Sequence, residues 1–384
     1  MAPTGRARAR DLGIAPGTLP TGPVNAITDV PGIRVGHATI VEGTDLRTGV
    51  TAIVPDALLP PSPGAPGGQP ARARPLATVP AGLSVFNGFG KMTGSTQLAE
   101  LGTIETPVLL TGTLSVFRAA DALLSYLAER LGPQPPGTLN PVVAETNDGY
   151  LSDIWARPVT ARHVRAAIDS AASGPVAEGC VGAGTGTGAL GFKAGIGTSS
   201  RVVQPAGPGR PMTVGALVQA NFGGVLTVLG TPVPAAEALP PTARPGPAEP
   251  GAADGGNSCV IVLATDAAVG SRQLQRLANR AFAGMARTGS DFAGHSGDYA
   301  LAIGAARTED QAGTEAGTAA GRGAAAGASP VPADILDLLF LAAIEATEEA
   351  ILNSLCKATT TTGYRGHVRH AVPLDYLGTL LSGR

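Results

Sequence analysis

Ser258 stands where a segment rich in Pro, Gly and Ala meets a continuously apolar run. Residues 232–257 carry too few large side chains to pack, whereas residues 259–264 are typical of a buried strand. At such a junction the serine hydroxyl could attack the carbonyl of Asn257 and break the chain. Ser258 would then be a new N-terminus that carries a nucleophile and an amine base on one residue. The same Asn-Ser pair is also typical of an ordinary turn.

Self-cleavage of this kind requires two further groups. The ester formed on the hydroxyl must hydrolyse, and the oxyanion of each step must be held by hydrogen-bond donors. The freed α-amine has a reference pKa of about 7.7–8.0, so part of it is neutral near pH 7 and can take the proton of its own hydroxyl. The chain should therefore supply a group that orients the amine and a donor for the oxyanion.

Residues 294–298 place Ser296, His295 and Asp298 in one short polar cluster. In an extended chain His295 and Ser296 point to opposite faces, whereas Ser296 and Asp298 share one face. The cluster is not a nucleophile elbow, because Asp298 stands where that motif requires Gly. We therefore interpret Ser296 and Asp298 as a hydroxyl–carboxylate pair that orients another nucleophile. The alternative is a turn with local side-chain capping, which these residues alone favour.

Two further polar clusters follow apolar runs. Glu145 and Asn147 come directly after residues 141–144, where a carboxylate at a strand end could bind a substrate ammonium. Asn221 follows residues 213–220 and could donate its amide hydrogen to an oxyanion. Each cluster is also typical of a turn that ends a strand.

The glycine-rich stretch 181–191 contains the spacing Gly-x-Gly-x-x-Gly at 186–191. A dinucleotide site would need a helix directly after this spacing, and residues 192–200 have no helical pattern. We therefore predict a tight backbone turn and no bound cofactor. The three cysteines are too few and too scattered for a disulfide framework or a zinc cluster, which favours free thiols and no metal.

The composition excludes several classes of partner. A net charge of −2 lacks the excess of basic residues that proteins binding DNA or RNA show. Residues 1–16 contain Arg but no apolar stretch of a secretory signal, and the most apolar segment, 335–344, is interrupted by Asp337. We therefore expect a soluble, cytoplasmic protein with no membrane partner. Apolar residues make up 43% of the chain, which is enough for a large core.

Short strands and a few long helices must position these residues. Helical periodicity indicates three helices, at 118–131, 273–287 and 334–355, and the last is apolar enough to lie inside, against a sheet or another subunit. The clustering of strands favours an α+β class with layers over a doubly wound sheet. Apolar runs predict strands at 33–40, 51–54, 107–111, 213–220, 225–229, 258–264 and 299–303. Flexible surface insertions are predicted at 58–76, 232–257 and 306–331.

Taken together, the motifs resemble those of the family of L-aminopeptidase/D-esterases and β-peptidyl aminopeptidases, and the resemblance covers nearly the whole chain. The motifs that carry it are NAITDVPGIRVGH (25–37), RTGVTAI (47–53), NGFGKMTG (87–94), VAETNDG (143–149), GFKAGIGTSSR (191–201), VQANFG (218–223) and SGD (296–298). The resemblance implies an αββα four-layer sandwich of the N-terminal-nucleophile type, with a topology of its own. It also implies one catalytic domain over 1–384, with no metal or cofactor.

The resemblance further implies that the precursor is cut between Asn257 and Ser258 into a larger subunit, 1–257, and a smaller one, 258–384. These two would stay together and assemble into larger homo-oligomers. Ser258 would be the nucleophile, and Ser296 and Asp298 would support and polarise it.

By the same resemblance, Asn221 would contribute to the oxyanion hole and Glu145 would hold the free amine of the substrate. The chain departs from some relatives at two positions, with Asp298 in place of Glu and Asn147 in place of Tyr. The first shortens the reach of the carboxylate, and the second lies beside the amine site and bears on substrate preference.

The expected activity is that of a serine aminopeptidase or amidase that releases small N-terminal residues from short peptides, amides or esters. An acyl-enzyme on Ser258 could instead pass its acyl group to an amine, as in the ornithine acetyltransferases, which share the general fold type and cleave before Thr. The serine nucleophile and the set of motifs favour hydrolysis. A third alternative is a binding protein that keeps the fold without cleavage.

Overall fold

Two mixed β-sheets form the centre of the fold, and helices cover their outer faces. The computed structural model describes residues 5–59, 77–131, 136–205, 207, 209–243, 258–305 and 331–382. The strands are β1 (Ile33–Glu42), β2 (Leu46–Pro55), β3 (Val79–Gly88), β4 (Met92–Thr93), β5 (Thr103–Ile104), β6 (Val108–Gly112), β7 (Val142–Thr146), β8 (Gly188–Ala189), β9 (Phe192–Lys193), β10 (Ile196–Val203), β11 (Met212–Asn221), β12 (Thr227–Val228), β13 (Thr231–Pro232), β14 (Ser258–Thr265), β15 (Gly297–Gly304), β16 (Thr361–Thr362) and β17 (Val368–Arg369). The helices are α1 (Ser95–Leu101), α2 (Val116–Leu131), α3 (Ala161–Asp169), α4 (Ala235–Ala238), α5 (Ser271–Arg287), α6 (Ala333–Cys356) and α7 (Leu374–Ser382).

The first sheet has the strand order β1-β2-β6-β7-β4, and the second has the order β10-β11-β14-β15-β3-β5. Each sheet contains one parallel pair, β6 with β7 and β14 with β15, and every other pairing within them is antiparallel. The C-terminal end of β7 and the N-terminal ends of β14 and β15 carry the polar residues singled out in the sequence.

Alternation along the strands builds the layers, because successive side chains of a strand point to opposite faces. Leu110 of β6 and Val262 of β14 lie in one apolar cluster between the sheets. Leu109 belongs to a cluster with α2 and α3, and Ile261 belongs to another with α5 and α6. The arrangement is therefore helix, sheet, sheet, helix, which confirms the predicted αββα architecture.

The predicted helix at 334–355 is confirmed as α6 and lies inside the fold, packed on β10. Gly197 permits the close approach, since a Cβ atom there would collide with the carbonyl oxygen of Ala350. The other two predicted helices correspond to α2 and α5. None of the helices in the described part of the chain is long and apolar enough to cross a membrane.

The strand predictions are confirmed except at 225–229, where only Thr227 and Val228 pair, because Leu229 adopts a φ of 48° and turns the chain into β13. Strands β3 and β10 are absent from the predictions. In β10 the residues Ser199, Ser200 and Arg201 are fully buried. Because these side chains are polar, the sequence lacks the apolar run that predicts an internal strand.

Part of the predicted insertion 232–257 is wrong. Within 232–243, Val233 and Leu239 are buried in the cluster under α5 and α6, while others such as Pro232 and Glu237 are exposed. The Val233 amide also donates to the carbonyl of Leu226 at 2.6 Å. Two well-placed apolar side chains therefore order a stretch whose average composition resembles a linker. The remainder of that insertion, 244–257, and residues 60–76 and 306–330 of the other two lie outside the described residues.

A buried ionic cluster joins α6 to the strands and to the N-terminal segment. Arg201 is fully buried and contacts Glu345 at 3.1 Å and Glu349 at 2.7 Å. Glu349 also pairs with Arg10 at 2.8 Å and accepts a hydrogen bond of 2.6 Å from the Asn25 amide. Buried charges are tolerated only when they are paired in this way.

Replacing Glu349 with alanine should lower the free energy of unfolding by about 3–5 kcal/mol, because it leaves the buried Arg201 with an incomplete set of partners. Urea denaturation at one fixed protein concentration measures the change. Glu129→Ala is the matched control, since Glu129 pairs with Arg165 on the surface and its loss should hardly move the midpoint. Equal shifts for the two variants would contradict the role of the buried cluster.

Candidate active site

Three strand ends meet at Ser258. It is the first residue of β14, and the register pairs it with Asn221 at the end of β11 on one side and Gly297 at the start of β15 on the other. Ser258 is 4% exposed, and its Oγ accepts a hydrogen bond of 3.3 Å from the Gly297 amide. The pairing of β14 in the middle of its sheet therefore fixes the hydroxyl between two neighbouring strands.

Ser296 and Asp298 form the hydroxyl–carboxylate pair predicted from their spacing. Ser296 Oγ donates to Asp298 Oδ1 at 2.6 Å, and the Asn87 amide on β3 donates to Asp298 Oδ2 at 2.9 Å. Burial raises the pKa of Asp298, and the hydrogen bonds from Ser296 and Asn87 oppose that rise. The carboxylate is thus held from two sides, one residue away from the backbone partner of Ser258.

His295 takes no part in this pair. It is exposed, and its ring lies edge-on to Phe89 at a centroid distance of 5.3 Å. This position agrees with the prediction that His295 and Ser296 point to opposite faces.

The side-chain amide of Asn221 is oriented by two backbone groups. Its Oδ1 accepts from the Gly188 amide at 3.0 Å, and its Nδ2 donates to the carbonyl of Asn147 at 2.8 Å. An amide nitrogen carries two hydrogens, so one remains for a further acceptor. The glycine-rich turn around 186–191 therefore acts in the structure as a backbone support for Asn221.

Glu145 lies near the end of β7 and is 3% exposed. Its Oε1 accepts from the Lys91 backbone amide at 3.1 Å and lies 3.5 Å from the Lys91 ammonium. Its Oε2 is buried and has no hydrogen-bond partner among the described residues. Burial raises the pKa of Glu145, and the charge of Lys91 opposes that rise. One oxygen of this carboxylate is thus ready to accept a cation.

The turn after β7 contains Asn147 and Asp148. The Asn147 side chain is exposed and caps the Gly149 amide at 2.9 Å, while its carbonyl holds Asn221. Asp148 is buried, and burial raises its pKa to about 7. A Cβ atom on Gly112 would lie 2.7 Å from Asp148 Oδ2, so the glycine leaves room for this carboxyl group.

Gln219 connects the two sheets beside the site. Its Nε2 lies within hydrogen-bond distance of the carbonyl of Thr111 at 3.2 Å and of Thr146 Oγ1 at 2.9 Å. It also lies 3.0 Å from the carbonyl of Ala183. The strand end that carries Asn221 is therefore tied directly to the strand end that carries Glu145.

Sequence reasoning missed Asn87, Lys91 and Asp148. Asn87 and Lys91 lie in the motif 87–94, and Asp148 lies in the motif 143–149, so both motifs contained the signal. The partners of Asn87 and Lys91 are remote in sequence, and only the strand pairing shows which polar groups these two residues meet. Within the described residues, no group of His, Cys, Asp and Glu is arranged to hold a metal ion.

Comparison with known proteins identifies the family of this chain. The family model described as "Peptidase family S58" matches residues 25–369. The chain is 40% identical to the β-peptidyl aminopeptidase BapA of Sphingosinicella microcystinivorans, over 97% of this chain and 91% of that protein. It is 37% identical to the BapA of Sphingosinicella xenopeptidilytica, over 98% of this chain and 91% of that protein.

Solved structures are similar over the same length. The PH0078 protein of Pyrococcus horikoshii OT3 superposes with a TM-score of 0.80 at 39% identity, covering 98% of this chain and 99% of that one. The L-aminopeptidase D-Ala-esterase/amidase of Ochrobactrum anthropi, described as a variant of the Ntn hydrolase fold, gives a TM-score of 0.80 at 36% identity and covers 98% of each chain. Together with the family match, these similarities show that the chain belongs to peptidase family S58.

Proposed function

We propose that this aminopeptidase cleaves its own chain before Ser258 and then uses Ser258 to release N-terminal residues from short peptides, amides or esters. The observation that carries the proposal is the position of Ser258. It lies on a central strand between Asn221 and Gly297, and the hydrogen-bonded pair Ser296 and Asp298 flanks Gly297.

In the first reaction, Ser258 Oγ attacks the carbonyl carbon of Asn257 and forms an ester bond. The bond from that carbon to the amide nitrogen breaks, and the nitrogen takes up the hydroxyl proton and becomes the α-amine of Ser258. The resulting ester on Oγ is hydrolysed by water, which leaves a carboxylate on residue 257 and a free hydroxyl on Ser258. Asn257 itself lies outside the described residues. A negatively charged oxygen forms in each step. The side-chain amide of Asn221, the residue paired with Ser258 across the sheet, would donate a hydrogen bond to it.

In the second reaction, the neutral α-amine of Ser258 takes the proton of its own hydroxyl as Oγ attacks the substrate carbonyl. The Ser296 hydroxyl donates a hydrogen bond to Asp298, so the lone pairs of Ser296 Oγ can accept a hydrogen bond from the α-amine and orient it. The ammonium then gives its proton to the leaving amine. Water hydrolyses the acyl-enzyme by the same path in reverse and restores Ser258.

Glu145 accounts for the preference for a free amino terminus. Its Oε2 is buried without a partner among the described residues, and a substrate ammonium would supply that partner. Lys91 already occupies the other oxygen, which favours one added cation and not two. We assign Asn147 to the same end of the substrate, because its exposed side chain borders this turn.

The two fragments should remain associated after cleavage. Arg201 and Arg10 of the larger fragment pair with Glu345 and Glu349 of the smaller one in the buried ionic cluster. Strands β11 and β14 also belong to different fragments and are paired along the whole length of β14. We further propose homo-oligomers of these heterodimers and a cytoplasmic location.

Intact mass under denaturing conditions, with N-terminal sequencing, tests the proposal. We expect fragments 1–257 and 258–384, the second beginning with Ser258 and Cys259. Purified protein should then hydrolyse an amino-acid p-nitroanilide without an added amine acceptor. A single uncut chain would support a binding protein, and a strict need for an amine acceptor would support acyl transfer instead.

A further inference from the structure

We propose that Phe89, together with His295, forms an aromatic wall that binds the side chain of the substrate's N-terminal residue and favours apolar, aromatic side chains. Phe89 lies on the loop formed by residues 89–91, and His295 lies just before β15. This inference rests on the proposed function, because it uses Ser258 and Glu145 as the two ends of the bound residue.

One end of the loop is fixed beside the nucleophile. The Phe89 amide donates to the carbonyl of Ser296 at 3.1 Å. A Cβ atom on Gly90 would lie 3.2 Å from the Cα atom of Gly297, the residue paired with Ser258. The loop therefore lies directly against the strand start that supports the Ser258 hydroxyl.

The other end of the loop is fixed at the amine site. The Lys91 amide donates to Glu145 Oε1 at 3.1 Å, and the Lys91 ammonium lies 3.5 Å from the same oxygen. The loop thus connects the neighbourhood of Ser258 to Glu145. The N-terminal residue of a substrate must make the same connection, with its carbonyl at Ser258 and its ammonium at Glu145, so its side chain projects beside the loop.

Phe89 is the large apolar residue of the loop 89–91, and its side chain is 68% exposed. Its backbone is held by the hydrogen bond to Ser296, and its ring packs at 70° against His295. The ring is therefore placed before any ligand arrives, which reduces the entropic cost of binding. Covering the exposed face with an apolar or aromatic group removes apolar surface from water and adds a favourable ring contact.

Two matched ligand pairs test the wall in the purified wild-type enzyme and its variants. Phenylalaninol and alaninol carry a free amine but no scissile carbonyl, so calorimetry measures their binding without turnover. The p-nitroanilides of phenylalanine and alanine share one leaving group and report kcat and KM. In Phe89→Ala we expect the preference for phenylalaninol over alaninol to fall about tenfold, with a matching rise in KM for the phenylalanine anilide and little change in kcat.

Phe89→Leu should retain part of the preference, because it keeps an apolar surface. Leu101→Ala is the control for loss of an exposed apolar side chain, since Leu101 is 63% exposed and lies beyond the far end of β3. An unchanged preference in Phe89→Ala would overturn the inference. Equal weakening for both ligands with a smaller assembly in solution would also overturn it, and would assign Phe89 to a contact between copies of the chain. Loss of the binding preference in a protein that never hydrolyses the anilides would uphold the wall and refute the proposed function.

Discussion

Replacing Ser258 with alanine should leave a folded, full-length chain that neither cleaves itself nor hydrolyses peptides. In the proposed mechanism both reactions use the same hydroxyl, first against the preceding peptide bond and then against the substrate, so one substitution would remove both. Loss of a catalytic nucleophile in a serine peptidase lowers kcat by roughly 10⁶-fold, which places residual turnover below detection. Intact mass and p-nitroanilide hydrolysis measured on one preparation check the two effects together.

The fold of this variant should be intact, because the alanine side chain fits the buried position at the start of β14 and the strand pairing with β11 and β15 does not depend on the hydroxyl. Circular dichroism and the urea midpoint serve as the control. A Ser258→Ala protein that still produces fragments would show that cleavage has another nucleophile. A protein that stays uncut and yet hydrolyses substrate would show that hydrolysis does not need Ser258. That result would contradict a mechanism in which one hydroxyl performs both reactions.

Apart from the αββα architecture, which the family resemblance implied, the features predicted correctly from the sequence are local ones. The shared face of Ser296 and Asp298 follows from the two-residue period of an extended chain, and the structure places their side chains 2.6 Å apart. The strand at 258–264 and the helix at 334–355 follow from long, continuous hydrophobic patterns. These patterns need no knowledge of the partner element.

The features missed depend on pairings between remote segments. Asn87 meets Asp298 because β3 pairs with β15, and no local pattern in 79–88 specifies that neighbour. The same holds for Lys91, which reaches Glu145 through the pairing of β4 with β7. Composition misled at 232–243 for a different reason, since an average over the stretch hides the two side chains that anchor it.

Replacing Asn221 with alanine should lower kcat by about 10²–10³-fold, the usual cost of removing one oxyanion-hole donor. Two hydrogen bonds orient the Asn221 side chain, one from the Gly188 amide and one to the Asn147 carbonyl. Asn221 also pairs with Ser258 across the sheet. The affinity for substrate should change little, because the donor acts on charge that develops only in the transition state. Steady-state kinetics on fully processed protein check this split.

Self-cleavage should slow as well, since attack on Asn257 generates the same kind of oxyanion. The time course of fragment formation after synthesis measures that effect separately from turnover. Asn221→Asp is the sharper variant. Its carboxylate can still accept from the Gly188 amide, but it cannot donate to the Asn147 carbonyl or to an oxyanion, and its charge repels both.

We therefore expect Asn221→Asp to be at least as slow as Asn221→Ala, although it preserves the size of the side chain. Asn147→Ala keeps the backbone carbonyl that orients Asn221, so it should act on KM through the substrate's amine end and leave kcat close to the wild-type value. A kcat for Asn221→Ala within about threefold of wild type would mean that the oxyanion is held by another donor. In that case the Gly297 amide, which already lies 3.3 Å from Ser258 Oγ, would be the group to examine next.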